Sequence, residues 1–313
     1  MRTVEETGIT ALPVRRVAIS GASGLLGSAL RGGFAAEGVT VLRLVRRPAS
    51  RAGEIGWNPE ASPAIADRTA LEDCDAAIHL SGSNVAGGVW TDAFKRELTA
   101  SRVDTTRTLA IALASLERPP RVLLVASAIG IYGDRSDELL NESSATGTGF
   151  LADLCRQWEA ASQPAEDAGI RVVRLRFGVV LSREGGALGK MIPLFRVGLG
   201  GRLGSGQQWM SWVSVNDVVR ATMFALRMPC IRGAVNVTAP NPVTNAEFTR
   251  LLARRLHRPA VLPAPAFALR MLYGQMADEA LLASTRVEPA KLQAAGFEFE
   301  HSTLNRALAA VLD

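Results

Sequence analysis

The run Gly21-Ala22-Ser23-Gly24-Leu25-Leu26-Gly27 constrains this chain more than any other feature. It follows the apolar stretch Arg16-Val17-Ala18-Ile19-Ser20 directly and opens a helical pattern that ends near Glu37-Gly38. A second apolar stretch, Val39 to Val45, comes next. Strand, glycine turn, helix, strand is the β-α-β unit that presents backbone N–H groups to a pyrophosphate at a helix N-terminus. The spacing is G-x-x-G-x-x-G, and an ordinary glycine-rich αβ turn is the alternative. At the end of the second strand, where an NAD site places Asp or Glu, this chain has Arg46-Arg47-Pro48. Guanidinium forks suit a 2′-phosphate, so the residues point to NADP(H) rather than NAD(H). A solvated basic loop is the competing explanation, since Arg43 and Arg51 lie close by.

The alternation continues. Strands are expected at 75–80, 121–127 and 171–176, and helices at 90–116 and 151–168. This order implies a Rossmann-type, doubly wound parallel sheet with a small, mostly helical C-terminal domain. The expected division is a loose N-terminal arm over 1–15, a dinucleotide-binding domain over 16–243 with a glycine-rich loop at 185–206, and a substrate cap over 244–313. No apolar run reaches membrane-spanning length. The N-terminus lacks the order of a signal peptide, and the three scattered cysteines, Cys74, Cys155 and Cys230, suit a reducing cytoplasm and no metal cluster. The net charge of +5 is spread along the chain and aromatic content is low, which argues against nucleic acid as partner.

The glycine loop, His79-Leu80-Ser81-Gly82, Ser127-Ala128-Ile129-Gly130-Ile131-Tyr132-Gly133 and Arg176-Phe177-Gly178-Val179-Val180-Leu181 resemble extended short-chain dehydrogenase/reductases. Trp57, Ser101-Arg102, Trp158-Glu159-Ala160-Ala161 and the segment Gly204 to Trp212 resemble an atypical branch, the epimerase-family proteins. That branch has its own C-terminal domain of unknown function. The resemblance implies NADP(H) on Gly21, Ser23, Gly24, Leu25, Leu26 and Gly27, with Arg46, and Arg47 beside it, at the 2′-phosphate. It places Leu80, Ser81 and Gly82 under the ribose and pyrophosphate, Glu97 and Arg102 near the cofactor, and Gly178 and Val179 beside the nicotinamide.

The chemistry is less defined. Typical members use a Tyr-x-x-x-Lys pair, in which Lys lowers the Tyr pKa for proton exchange. Here the only tyrosines are Tyr132 and Tyr273, and positions 136 and 277 hold Ser and Ala. The usual Ser position is Ala128, with Ser127 one residue before it. Candidate replacements are Glu159, Cys155, Tyr132 and Ser127, with Glu142 and Asp217 behind them. Their plain alternatives are a helix-surface carboxylate, a small core thiol and a packed aromatic. The expected function is an NADP(H)-dependent oxidoreductase or nucleotide-sugar-epimerase-like enzyme on a small molecule, bound between Tyr132, the 153–159 helix and the 204–212 segment. The alternative is an NADP(H)-binding regulator without turnover; a homodimer is compatible with either.

Overall fold

A computed structural model describes residues 12–65 and 67–313. The central sheet has seven strands: β1 (Arg16–Ser20), β2 (Thr40–Val45), β3 (Glu54–Gly56), β4 (Ala76–His79), β5 (Val122–Ala128), β6 (Arg171–Phe177) and β7 (Gly233–Val237). Their spatial order is β7-β6-β5-β4-β1-β2-β3, and every pairing is parallel. Strands β4 and β5 are buried along almost their whole length. This is why they read as continuous apolar runs and not as alternating ones.

The strand order reverses between β1 and β4. Helix α1 (Leu25–Ala36) follows β1; α2 (Asp92–Thr99) and α3 (Thr105–Ala114) follow β4; α4 (Phe150–Ala160) and α5 (Gln163–Asp167) follow β5; α6 (Gly186–Arg196) and α7 (Val215–Arg227) lie between β6 and β7. The crossover helices pair off against the sheet, α1 on α7 and α3 on α5, as parallel β-α-β connections require. A crevice is thereby left at the carboxyl ends of β1 and β4, where doubly wound sheets hold their ligands.

Two helices depart from the expected outline. The 90–116 helix contains a π-turn over Ala100–Asp104, between α2 and α3. The 151–168 helix breaks after Ala160, because Pro164 in the first turn of α5 cannot continue a preceding ladder. Of the expected N-terminal arm, residues 1–11 lie outside the described residues. Residues 12–15 are tied down: Leu12 N–H donates to the Arg227 carbonyl at 2.9 Å, and Arg15 N–H donates to Asp75 at 2.7 Å.

The C-terminal region holds α8 (Asn245–Arg255), α9 (Ala266–Tyr273), α10 (Ala290–Ala294) and α11 (Leu304–Leu312). It shares a second hydrophobic core with the segment that precedes it. Phe248, Leu252, Leu304 and Leu308 pack with Leu181, Leu188, Phe195 and Trp212. The expected 243/244 boundary therefore runs through a single packed cluster. Short pairings cross it as well: 209–210 with 243–244, and 139–140 with 286–287.

Candidate cofactor cleft and buried polar network

The crevice is a cleft of about 560 Å³, lined by Gly21 to Gly24, Arg43 to Arg47, Trp57 and Leu80 to Gly82. The glycines are demanded by contact. Gly21 has φ +71°, and a Cβ there would lie 2.8 Å from the Leu80 carbonyl carbon. A Cβ on Gly27 would lie 2.3 Å from the Gly21 carbonyl oxygen, so α1 can close onto the loop only through glycine. The α1 N-terminus carries no side-chain cap, and its first turn holds no acidic residue. Its first N–H groups stay available to an anion. These features fit a dinucleotide pyrophosphate.

Beneath the cleft, His79 is fully buried and burial pushes its imidazole down to about 3. The Thr105 hydroxyl donates to the Ser101 carbonyl at 2.8 Å. That leaves Thr105 Oγ1 to accept from His79 Nε2 at 3.1 Å, and His79 Nδ1 to accept from Ser20 at 2.6 Å. The neutral ring thus joins β1, β4 and the start of α3. Arg102, on the π-turn, is buried with its Nη2 donating to the Ser83 carbonyl at 2.7 Å and its guanidinium over the Trp158 ring. Burial lowers its pKa. It lies directly under Gly82, where a Cβ would come within 3.2 Å of its Cζ. Glu97 is exposed on α2 and lies outside the lining of the cleft.

At the far end of β2 the arginines separate by role. Arg47 and Arg43 both bind the carboxylate of Glu54, whose side chain is fully buried, at 2.7 and 2.6 Å. The Arg47 hydrogen bonds, with the Ser50 backbone N–H, hold the Glu54 carboxyl down to about 2. Arg46 is exposed, lines the cleft, and makes no ion pair among the described residues.

Three of the acid–base candidates, Glu159, Ser127 and Tyr132, meet in one buried network. Glu159 receives Arg176 through Nε at 2.7 Å and Nη2 at 2.8 Å, a bidentate pair between α4 and β6. Ser127 donates to the same carboxylate at 2.7 Å. Arg176 Nη1 donates to the Tyr132 hydroxyl at 2.9 Å, which donates in turn to Asn236 at 2.8 Å. Burial opposes the charge on Arg176, but the Glu159 carboxylate outweighs it and holds the guanidinium above its ordinary pKa. Tyr132 has no exposed surface, and burial raises its pKa. Burial likewise pushes the Cys155 thiol up to about 12. Glu142 accepts the backbone N–H groups of Asn236 and Lys291. Asp217 is fully buried and accepts from Ser214, from Arg220 and from the backbone of Glu300 and His301. These groups join elements of the fold to one another.

The remaining expected residues pack closely. A Cβ on Gly178 would meet the Ser211 carbonyl at 2.6 Å, and Val179 N–H donates to that carbonyl at 2.9 Å. In the 204–212 segment, Gln208 donates to the carbonyls of Leu203 and Leu281, and Trp212 donates to the Asn241 carbonyl. Their polar atoms face the protein, which gives the segment a structural role at the junction of the two cores. Sequence reasoning missed Arg176 as the partner of Glu159, Glu54, and Glu279, which accepts the Phe150 and Leu151 N–H groups at 3.0 and 2.7 Å and so caps α4 from the C-terminal region. None of these pairs has a local sequence signal, because each joins separate elements.

Residues 17–237 match the NAD dependent epimerase/dehydratase family, and residues 264–311 match a domain of unknown function, DUF1731. An epimerase family protein of Mycobacterium bovis, Mb2239, is 49% identical over 93% of this chain and 96% of its own length. The crystal structure of human epimerase family protein SDR39U1 with NADPH superposes with a TM-score of 0.87 at 33% identity, covering 95% of this chain and 98% of that one. A nucleoside-diphosphate sugar epimerase from Corynebacterium glutamicum superposes with a TM-score of 0.78 at 34% identity; the match covers 98% of this chain and 60% of that longer one. With its glycine cradle, its crossover cleft and both family matches, this chain belongs to the NAD-dependent epimerase/dehydratase family, in the atypical short-chain dehydrogenase/reductase branch that carries DUF1731.

Proposed function

We propose that this protein binds NADP(H) in the β1/β4 crevice and uses it as an oxidoreductase or epimerase-like enzyme on a small molecule. The observation that carries the reading is the crevice itself, with an uncapped helix N-terminus at its centre and an exposed Arg46 at its rim. The NADPH in the human relative's crystal structure supports it. When bound, the cofactor supplies or accepts a hydride. The chain's own residues hold it: the N–H groups at the start of α1 take the pyrophosphate, Leu80 and Ser81 support the ribose side, and Arg46 takes the 2′-phosphate. Gly178 and Val179, packed on Ser211, are assigned to the nicotinamide side.

A second reading, binding without turnover, draws on the polar network. Each of Glu159, Tyr132 and Ser127 is already hydrogen-bonded within the protein, and Cys155 is buried as a neutral thiol. A general acid must reach the substrate proton. Two measurements test the cofactor assignment and then separate the readings. NADPH and NADH affinities are compared for the wild type and Arg46→Ala; equal wild-type affinities would refute the 2′-phosphate assignment. A panel of sugars, sterols and carbonyl compounds is then assayed for cofactor oxidation or reduction. Turnover of any member supports the enzyme, and tight NADPH binding with none supports the regulator.

A further inference from the structure

We propose that Glu54 and Arg47 form a clamp that positions Arg46, and that Arg47 is not itself a 2′-phosphate ligand. The inference rests on the NADP(H) reading above and assigns two positioning residues within that site.

The geometry is that of a loop closed on one carboxylate. Arg47 Nη1 donates to the Pro48 carbonyl at 3.0 Å, to Ser50 Oγ at 2.9 Å and to Glu54 Oε2 at 2.9 Å, and its Nη2 donates to Glu54 Oε1 at 2.7 Å. The Ser50 N–H donates to Glu54 Oε2 at 3.1 Å, and Arg43 Nη2 donates to Oε1 at 2.6 Å. Glu54 stands opposite Arg43 in the β2–β3 register, so the carboxylate is anchored in the sheet while it gathers the loop. Arg46 leaves the end of β2 at Val45 just before the clamp begins, and it faces the cleft.

The charges agree with this division. Three guanidiniums and one carboxylate leave two net positive charges at this end of the cleft (three minus one). Both Arg47 terminal nitrogens already point at internal acceptors, and a carboxylate offsets its charge. Arg46 is the cation that no carboxylate offsets among the described residues. Arg47 is half exposed, but the loop it spans is gathered on the buried Glu54 carboxylate; an incoming phosphate therefore finds Arg46 free to form a fork beside that tie.

The clamp and a simple field effect predict opposite signs. If Glu54 acted only as a negative charge near the phosphate, removing that charge would tighten NADPH binding. If it acts through the loop, removing it loosens NADPH binding and leaves NADH unchanged. The experiment measures NADPH and NADH dissociation constants for the wild type, Arg46→Ala, Arg47→Ala, Glu54→Gln and the Arg47→Ala/Glu54→Gln double variant, with thermal melts of each without cofactor. Loss of Arg46, a charged phosphate contact, lowers the NADPH-over-NADH preference roughly 10- to 100-fold. Arg47→Ala and Glu54→Gln each lower it in the same direction and by less, about 5-fold, and the double variant loses no more than either single one, as residues acting as one unit do. Tighter NADPH binding by Glu54→Gln, an Arg47→Ala loss as large as that of Arg46→Ala, or additive losses would each overturn the clamp. Equal falls in NADPH and NADH affinity would overturn it too, by showing general damage to the fold. A wild type that does not prefer NADPH overturns the cofactor reading and the clamp together, whereas a preference untouched by Glu54→Gln overturns the clamp alone.

Discussion

Replacing Glu159 tests whether it is a structural tie or an acid–base group. Its side chain is 12% exposed and that of Arg176 is 8% exposed, so solvent screens the pair little. Glu159→Ala would leave a buried guanidinium with only the Tyr132 hydroxyl as partner, and would leave Ser127 Oγ without its acceptor. Breaking a buried pair from one side costs about 3–5 kcal/mol, because the stranded charge keeps its desolvation penalty. A chain of 313 residues unfolds with an entropy of about 0.65 kcal/mol per kelvin, so the melting point should fall about 5–8 °C. Replacing both partners by apolar residues of similar volume, Glu159→Leu with Arg176→Met, removes the stranded charge and should recover at least half of the loss. Urea denaturation and calorimetry of the two variants give the comparison directly. A Glu159→Ala protein within about 1 kcal/mol of wild type would refute the reasoning. It would mean that the pair is effectively solvated, and would return Glu159 to the acid–base candidates.

Two further outcomes follow from burial. A thiol reagent at neutral pH should label Cys230, which is exposed, while Cys74 and Cys155, raised to about 11 and 12 by burial, should react only after denaturation; fast labelling of Cys155 in the native protein would contradict its placement. For His79 the folded value, about 3, lies below the unfolded one near 6.5, so the unfolded chain binds the proton first and stability falls as pH drops below about 6.5. Between pH 7.5 and 5.5 this one group removes about 1.4 kcal/mol, and His79→Gln, though less stable overall, should show a flatter curve by that amount. An equal slope in both proteins would mean that His79 takes up its proton over the same pH range folded and unfolded.

Much of the framework was legible because parallel strands are buried on both faces and read as short apolar runs. The first strand is observed at Arg16–Ser20, as expected, and the second, third, fourth and fifth expected strands shift by no more than one residue at either end. Strands β3 and β7 were not anticipated. The β3 run is only Glu54-Ile55-Gly56, with a buried carboxylate in it, and β7 begins on a glycine after a turn. The π-turn at 100–104 was hidden because its residues continue the helical pattern on either side. The strand–glycine turn–helix at 16–36 could be read because one continuous segment encodes it. The acid–base candidates could be named but not interpreted. Their meaning depends on Arg176, which lies 17 residues from Glu159, and on Asn236, which lies 104 residues from Tyr132.

The shared second core has a consequence for how such a chain can change over time. Trp212 and Leu181 lie on one side of the conventional boundary, and Phe248 and Leu304 lie on the other, yet each side supplies part of the other's interior. Glu279 also closes the first turn of α4 from the far end of the chain. Exchange of the C-terminal segment between relatives would bring in an unmatched half-interior and remove a helix cap at the same time. The two pieces are therefore expected to be inherited together and to melt together, as one cooperative unit, even though family descriptions divide them.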